Sequence, residues 1–168
     1  MLSKLINLKS FKIKKLEKNI QKNLKLLIKE KSQLNQSLCK TFEDKYDLKK
    51  IKGKKNFRLI GMGGSVLGSQ AIFNFLKKKI NKKFLFFNNL KSFQELNKKE
   101  KFTNLIISKS GNTLETILNA NILINKKDEN IFITENKSSY LLELAHKLKA
   151  EIVHHNNYIG GRYSVLSE

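Results

Sequence analysis

Apolar positions along residues 11–38 recur at spacings of three to five. Phe11, Leu16, Ile20, Leu24, Leu27, Ile28 and Leu34 fall on one side and Lys, Asn and Gln on the other, which predicts an amphipathic helix. Residues 49–56 read as a basic connector containing Gly53. Beyond it the period changes. Short apolar runs at 57–62, 84–87, 105–108, 131–134 and 151–154 predict five strands. Amphipathic stretches at 69–79, 92–99, 113–125 and 138–149 alternate with them and predict helices, the second with Ser92 and Glu95 at capping-box positions. Continuous apolar strands alternating with helices indicate a parallel sheet covered on both faces. The expectation is an α/β domain, a doubly wound five-stranded parallel sheet with flanking helices, over residues 57–168. A helical segment and connector over 1–56 precede it. In such sheets ligands bind beyond the carboxyl ends of the strands, near the point where strand order reverses.

Composition narrows the function classes. The 168 residues suit one domain, and 40% hydrophobic content excludes wholesale disorder. Cys39 is the sole cysteine, which excludes an internal disulfide or a cysteine-based metal site and fits a reducing, cytoplasmic home. No apolar run approaches the roughly 20 residues of a membrane span. Residues 1–15 lack the continuous apolar stretch of a secretory signal. The net charge of +20 invites a nucleic-acid reading. However, only Arg58 and Arg162 are arginines, and the other 32 basic residues are lysines spread over every segment. Arginine is the residue suited to bidentate phosphate and base-edge contacts. The charge reads as compositional bias, and neither a nucleic-acid nor a membrane partner is expected.

Three segments carry candidate chemistry. Gly61-Met62-Gly63-Gly64-Ser65-Val66-Leu67-Gly68 leaves the first strand and enters a helix. Its glycines allow close backbone approach, and the helix N-terminus suits an anion or sugar hydroxyls. It lacks the Gly-Lys-Ser/Thr of a nucleotide loop and the spacing of a dinucleotide fingerprint. A plain strand–helix turn explains it equally well. Ser108-Lys109-Ser110-Gly111-Asn112-Thr113-Leu114-Glu115-Thr116 also leaves a strand and opens a helix. Hydroxyls and backbone N–H groups are donors matched to an ionised phosphate, which offers only acceptors. Helix capping by Asn112 or Ser110 would need one side chain, so the surplus of hydroxyls favours an anion site. The third segment, 157–167, places Gly160-Gly161 before Arg162. A permanently charged planar donor after the fifth strand can stabilise an oxyanion, or serve as an ordinary surface arginine.

Together the first two segments resemble the sugar isomerase (SIS) domain, and Gly160-Gly161-Arg162-Tyr163-Ser164 resembles the signature of the glucose-6-phosphate isomerase family. The resemblance covers about residues 57–168. It implies that Ser108, Ser110 and Thr113 hold a sugar's phosphate, with Lys109 adding charge nearby, and that Gly64 and Ser65 line the sugar. It further implies that Arg162 stabilises an enediolate and that Glu115 orients a histidine used in ring opening. It implies no metal, no cofactor, and a homodimer at full length. Met62, Val66 and the pair Gly111-Asn112 depart from the commoner family residues.

Moving a proton between sugar carbons needs a general base. The resemblance places that glutamate beyond the Gly-Gly-Arg segment, later than Glu168. The 168 residues are therefore expected to carry the phosphate cradle and the electrophile of an aldose–ketose isomerase without its base, and to be inactive alone. His146 reads as a helix-surface residue and His154-His155 as packing at a strand end. The alternatives are a non-catalytic sugar-phosphate regulator on the same domain, another SIS sugar-phosphate isomerase, and a basic nucleic-acid binder.

Overall fold

The computed structural model describes residues 18–30, 48–90, 100–157 and 159–160. The expected helix at 92–99 and Arg162 lie outside them. Five strands, β1 (Asn56–Gly61), β2 (Lys83–Phe87), β3 (Thr103–Ile107), β4 (Glu129–Glu135) and β5 (Glu151–His155), form one sheet in the order β2-β1-β3-β4-β5, with every neighbouring pair parallel. Between them run α2 (Gly64–Leu76), α3 (Leu114–Leu123) and α4 (Tyr140–Leu148), and α1 (Lys18–Lys29) precedes the sheet. The doubly wound α/β architecture, with a five-stranded parallel sheet, is as the sequence implies. Strand order reverses between β1 and β3, so the crevice at their carboxyl ends is the switch point.

The register sorts the side chains onto two faces. Ile60, Ile106 and Phe132 share one face with Ala120 and Leu123 of α3 and Leu141 and Ala145 of α4, forming the main core. Each large aliphatic or aromatic side chain buried there contributes about 1.5–3 kcal/mol. Phe57, Phe84 and Phe86 point to the opposite face. There Phe73 of α2 packs on Phe84 and Phe86 with ring centroids 5.1 and 5.6 Å apart. The α3 and α4 side therefore carries two described helices and the α2 side one.

Several boundaries differ from the sequence reading. α2 begins at Gly64, five residues before the expected Ser69, and closes in a short 3-10 turn at Lys77–Lys79. Gly63 alone makes the turn, at φ 55°, so the glycine- and serine-rich run is already helix. α3 stops at Leu123 instead of residue 125, because Ile124 is extended. β1 begins at Asn56, and β3 runs from Thr103 to Ile107 in place of 105–108.

One of the two arginines is structural. Arg58 is 6% exposed, donates to the Leu123 carbonyl at 3.2 Å and lies 4.2 Å over the Phe102 ring. It thus places a cation on the C-terminal carbonyls of α3, where the helix dipole favours it. Burial pulls its pKa down, against the fields of Asp128 and Glu100. Beside it in register, Asn104 donates to Asn130 at 2.8 Å, and Asn130 donates to the Asn125 carbonyl at 2.9 Å. This polar row ties the α3–β4 connection to the amino end of the sheet.

Candidate functional site

β1 and β3 end side by side, Gly61 opposite Ile107. A Cβ on Gly61 would lie 2.7 Å from the Ile107 carbonyl oxygen and 2.7 Å from Val66 Cγ2, so glycine is what lets the α2 entry fold down onto the end of β3. The N-terminus of α2, with Gly64 and Ser65 in its first turn, is thereby held beside the segment that leaves β3. α2 and α3 pack on opposite faces of the sheet. Their N-terminal ends, each the positive end of a helix dipole, lie at the same end of the sheet.

The segment after β3 stays paired to β4 for two more residues. Ser108 N–H donates to Ile133 O and Glu135 N–H to Lys109 O, each at 3.0 Å. It then turns sharply, with Gly111 N–H donating to Ser108 O at 3.2 Å. Gly111 sits at φ 65°, and a Cβ there would overlap Ser139 Oγ and come 3.0 Å from Thr134 Oγ1. Any larger residue is excluded by backbone conformation and by space. The turn brings Ser108 Oγ and Thr113 Oγ1 to 3.1 Å of each other. Ser108 is 2% exposed. Thr113 is the N-cap of α3 yet makes no side-chain cap bond, which leaves its hydroxyl aligned with that of Ser108.

Asn112 was a candidate cap for α3, and the structure corrects this. Its Oδ1 accepts the Tyr140 N–H at 2.9 Å, so it caps α4, while Ser110 Oγ accepts the Asn112 N–H at 3.3 Å. Leu141 N–H donates to Gly111 O, and the α4 N-cap Ser139 accepts from Leu142 N–H. The loop 109–112 is consequently stitched to the start of α4 and cannot drift from the crevice without breaking that helix's cap.

Lys109 turns toward β4 and β5. Its Nζ lies 3.1 Å from Glu135 Oε1 and 3.1 Å from the Asn157 carbonyl oxygen. Lys137 also meets Glu135, at 3.2 Å. Burial pushes the Glu135 carboxyl up, but the two lysines outweigh it and hold the pKa below the usual carboxylate value. Glu115 stands partly exposed in the first turn of α3. His146 and His154 are exposed and His155 is buried. Gly64 and Ser65 open the helix after β1, and Ser108, Ser110, Thr113 and Glu115 follow β3, so register places both groups at the carboxyl end of the sheet, with the Ser108 and Thr113 hydroxyls in contact. The parts played by Glu135, Asn157 and Asn112 were not anticipated, because each depends on a contact that no local spacing signals.

The opposite end of the sheet holds an opening of about 620 Å³, lined by Lys54, Lys55, Lys101, Phe102, Lys127, Asp128 and Glu129 among others. Among the described residues, no cluster of three His, Cys, Asp or Glu side chains is arranged for a metal, and no helix is long and apolar enough to cross a membrane.

Comparison with known proteins finds relatives in sequence and in fold. The profile of the family described as phosphoglucose isomerase matches residues 17–168. The glucose-6-phosphate isomerase of Methanocaldococcus jannaschii is 36% identical over 136 residues, covering 74% of this chain and 33% of that protein. That of Borrelia garinii is 33% identical over 141 residues, covering 72% of this chain and 27% of that protein. The chain thus spans a third or less of the length of these relatives. Among solved structures, the fold resembles a hypothetical protein from Thermus thermophilus with a TM-score of 0.60 at 21% identity over 70% of this chain and 32% of that one. It also resembles tagatose-6-phosphate ketose/aldose isomerase from Escherichia coli, with a TM-score of 0.52 at 18% identity over 87% of this chain and 40% of that one.

Proposed function

The chain belongs to the phosphoglucose isomerase family, and from that membership we propose that it supplies the phosphate- and sugar-binding part of an enzyme interconverting glucose 6-phosphate and fructose 6-phosphate. The observation that carries this is the convergence of the Ser108 and Thr113 hydroxyls, 3.1 Å apart, at the N-terminus of α3, with the N-cap side chain free of its usual capping bond. A dianionic phosphate at that point meets hydroxyl donors, the N–H groups of the α3 first turn, and the dipole end.

In this reading Ser108, Ser110 and Thr113 hold the phosphate, and Gly64 and Ser65 line the sugar. Lys109, held by Glu135 and Asn157, contributes a screened positive field and no direct contact. Arg162 offers a fixed cation to the enediolate oxygen that forms as the proton leaves carbon 2. Glu115 acts as a positioning residue for the ring-opening histidine. Proton transfer between carbons 2 and 1 requires a base, and no carboxylate within residues 1–168 is assigned to it. The active enzyme is proposed to be a cytoplasmic homodimer.

Replacing Thr113 or Ser110 by Ala tests the assignment. Each lost charge-assisted hydrogen bond weakens glucose 6-phosphate binding by about 1.5–3 kcal/mol, a factor of roughly 10 to 150. Unchanged affinity in both variants would remove the phosphate cradle. The 168-residue chain alone is expected to show no isomerisation in a coupled assay, and measurable turnover would refute the claim that the base lies elsewhere.

A further inference from the structure

Two buried polar atoms on neighbouring strands, Arg58 Nε and Asn104 Oδ1, find no hydrogen-bond partner among the described residues. Arg58 is 6% exposed and Asn104 is fully buried. The two residues are register partners on β1 and β3, on the face that α3 covers. One atom is a donor and the other an acceptor, and the guanidinium stays charged when buried. Leaving either group unpaired costs its full desolvation, and native interiors rarely do so.

The neighbours of Asn104 fix which way its amide points. Asn130 Nδ2 donates to the Asn125 and Asp128 carbonyls at 2.9 and 3.1 Å, so Asn130 Oδ1 is the end turned to β3. It accepts from Asn104 Nδ2 at 2.8 Å, and that nitrogen also lies 3.4 Å from Asp128 Oδ2. Both contacts are on the β4 side, so Asn104 Oδ1 is turned away from β4, toward β1. Arg58 reaches over from β1. Its Cζ stands 4.2 Å over the ring of Phe102, two residues before Asn104, while Nη1 donates to Leu123 O at 3.2 Å. The guanidinium therefore lies across the start of β3, with Nε beside Asn104.

We propose that one water molecule bridges Arg58 and Asn104, accepting from Nε–H and donating to Oδ1. The pair of atoms selects this ligand. An anion would suit the guanidinium but be repelled by the amide oxygen, and a cation would meet the reverse. Water fills both roles, and two partners fall within the roughly two to four that a buried water makes. The site adjoins the opening at the amino end of the sheet, whose lining includes Phe102, Thr103 and Asp128, so water has a route in. With the bridge, the polar row runs unbroken from Leu123 O through Arg58, Asn104 and Asn130 to Asn125 O, and closes on itself at the end of α3. The inference stands apart from the phosphosugar reading, since Ser108 and Thr113 lie at the other end of the sheet.

NMR on the 168-residue chain tests this. Only Arg58 and Arg162 carry an Nε–H, so Arg162→Lys assigns the Arg58 signal. Its proton should show a cross-peak to water that has opposite signs in NOE and ROE spectra, the pattern of a held water and not of proton exchange. Asn104→Leu removes the acceptor. It should abolish that cross-peak and speed exchange of the Arg58 Nε–H about tenfold. An absent cross-peak, equal signs in the two spectra, or a cross-peak that survives Asn104→Leu would overturn the proposal. If that variant does not fold, a crystal structure of the unmodified chain decides. Density for a water within about 3.2 Å of both Nε and Oδ1 upholds the bridge. Direct contact between the two atoms, an ion, or no density between them overturns it.

Discussion

The two ends of the sheet differ in charge and chemistry. At the amino end an opening of about 620 Å³ is lined by Lys54, Lys55, Lys101 and Lys127 together with Asp128 and Glu129, and Lys54 is 2.8 Å from Glu129. At the carboxyl end the loop lysine, Lys109, is paired with Glu135 at 3.1 Å. By its number of lysines the amino end looks like the anion site. The carboxyl end is nevertheless the better one, because its donors are built in. Ser108 is held by the sheet, Thr113 by the start of α3, and the loop between them by the cap of α4. Lysines on mobile stems offer charge without direction, and water screens them. At the amino end the buried polar groups face inward: Arg58, Asn104 and Asn130 bind carbonyls and one another.

The comparison predicts that substitutions at the two ends separate binding from stability. Arg58→Ala removes the bond to Leu123 O and the contact with Phe102. It should lower unfolding free energy by about 2–3 kcal/mol in urea titrations and leave phosphosugar affinity unchanged. A loss of affinity would mean that the ends are coupled. Gly111→Ala forces a side chain into a left-handed conformation against Ser139 and Thr134. It should reduce stability by about 2 kcal/mol and weaken binding as well, since the turn that aligns Ser108 with Thr113 must shift. Asn112→Ala removes one of the side-chain acceptors at the start of α4, leaving the Ser139 cap, and should cost about 1 kcal/mol, with a smaller loss of affinity from loosening of the loop.

The smallest effect concerns pH. The Glu135 carboxyl has a folded pKa below its unfolded value, so the stability it contributes is complete above about pH 4.3, the ordinary glutamate value. That contribution is lost as pH falls through the folded pKa. Glu135→Gln should flatten this part of the acid-unfolding profile. An unchanged slope would show that Lys109 and Lys137 do not hold the carboxylate in solution.

The fold was largely legible because its signals are local. All five strands are short apolar runs, and the alternation with helices fixes the parallel class. Misplaced boundaries have local causes too. Gly64 to Gly68 reads as a turn by propensity, yet one glycine at φ 55° suffices, and the rest is helix. In the candidate site, Ser108 and Thr113 were readable because five residues of sequence bring them together. Arg58 and Lys109 were not, since their partners lie far along the chain, at Leu123, Glu135 and Asn157. A rare arginine in a lysine-rich chain signals that geometry matters but not which carbonyl it serves.

The most direct test of the central claim maps backbone amides of the 168-residue chain by NMR during titration with glucose 6-phosphate, with inorganic phosphate as a probe of the anion alone. The account predicts saturable shifts confined to residues 63–66 and 108–116, from both ligands, abolished in Ser108→Ala/Thr113→Ala. Shifts confined instead to residues 53–56, 101–103 and 127–129 would place the anion at the lysine-lined end and contradict it.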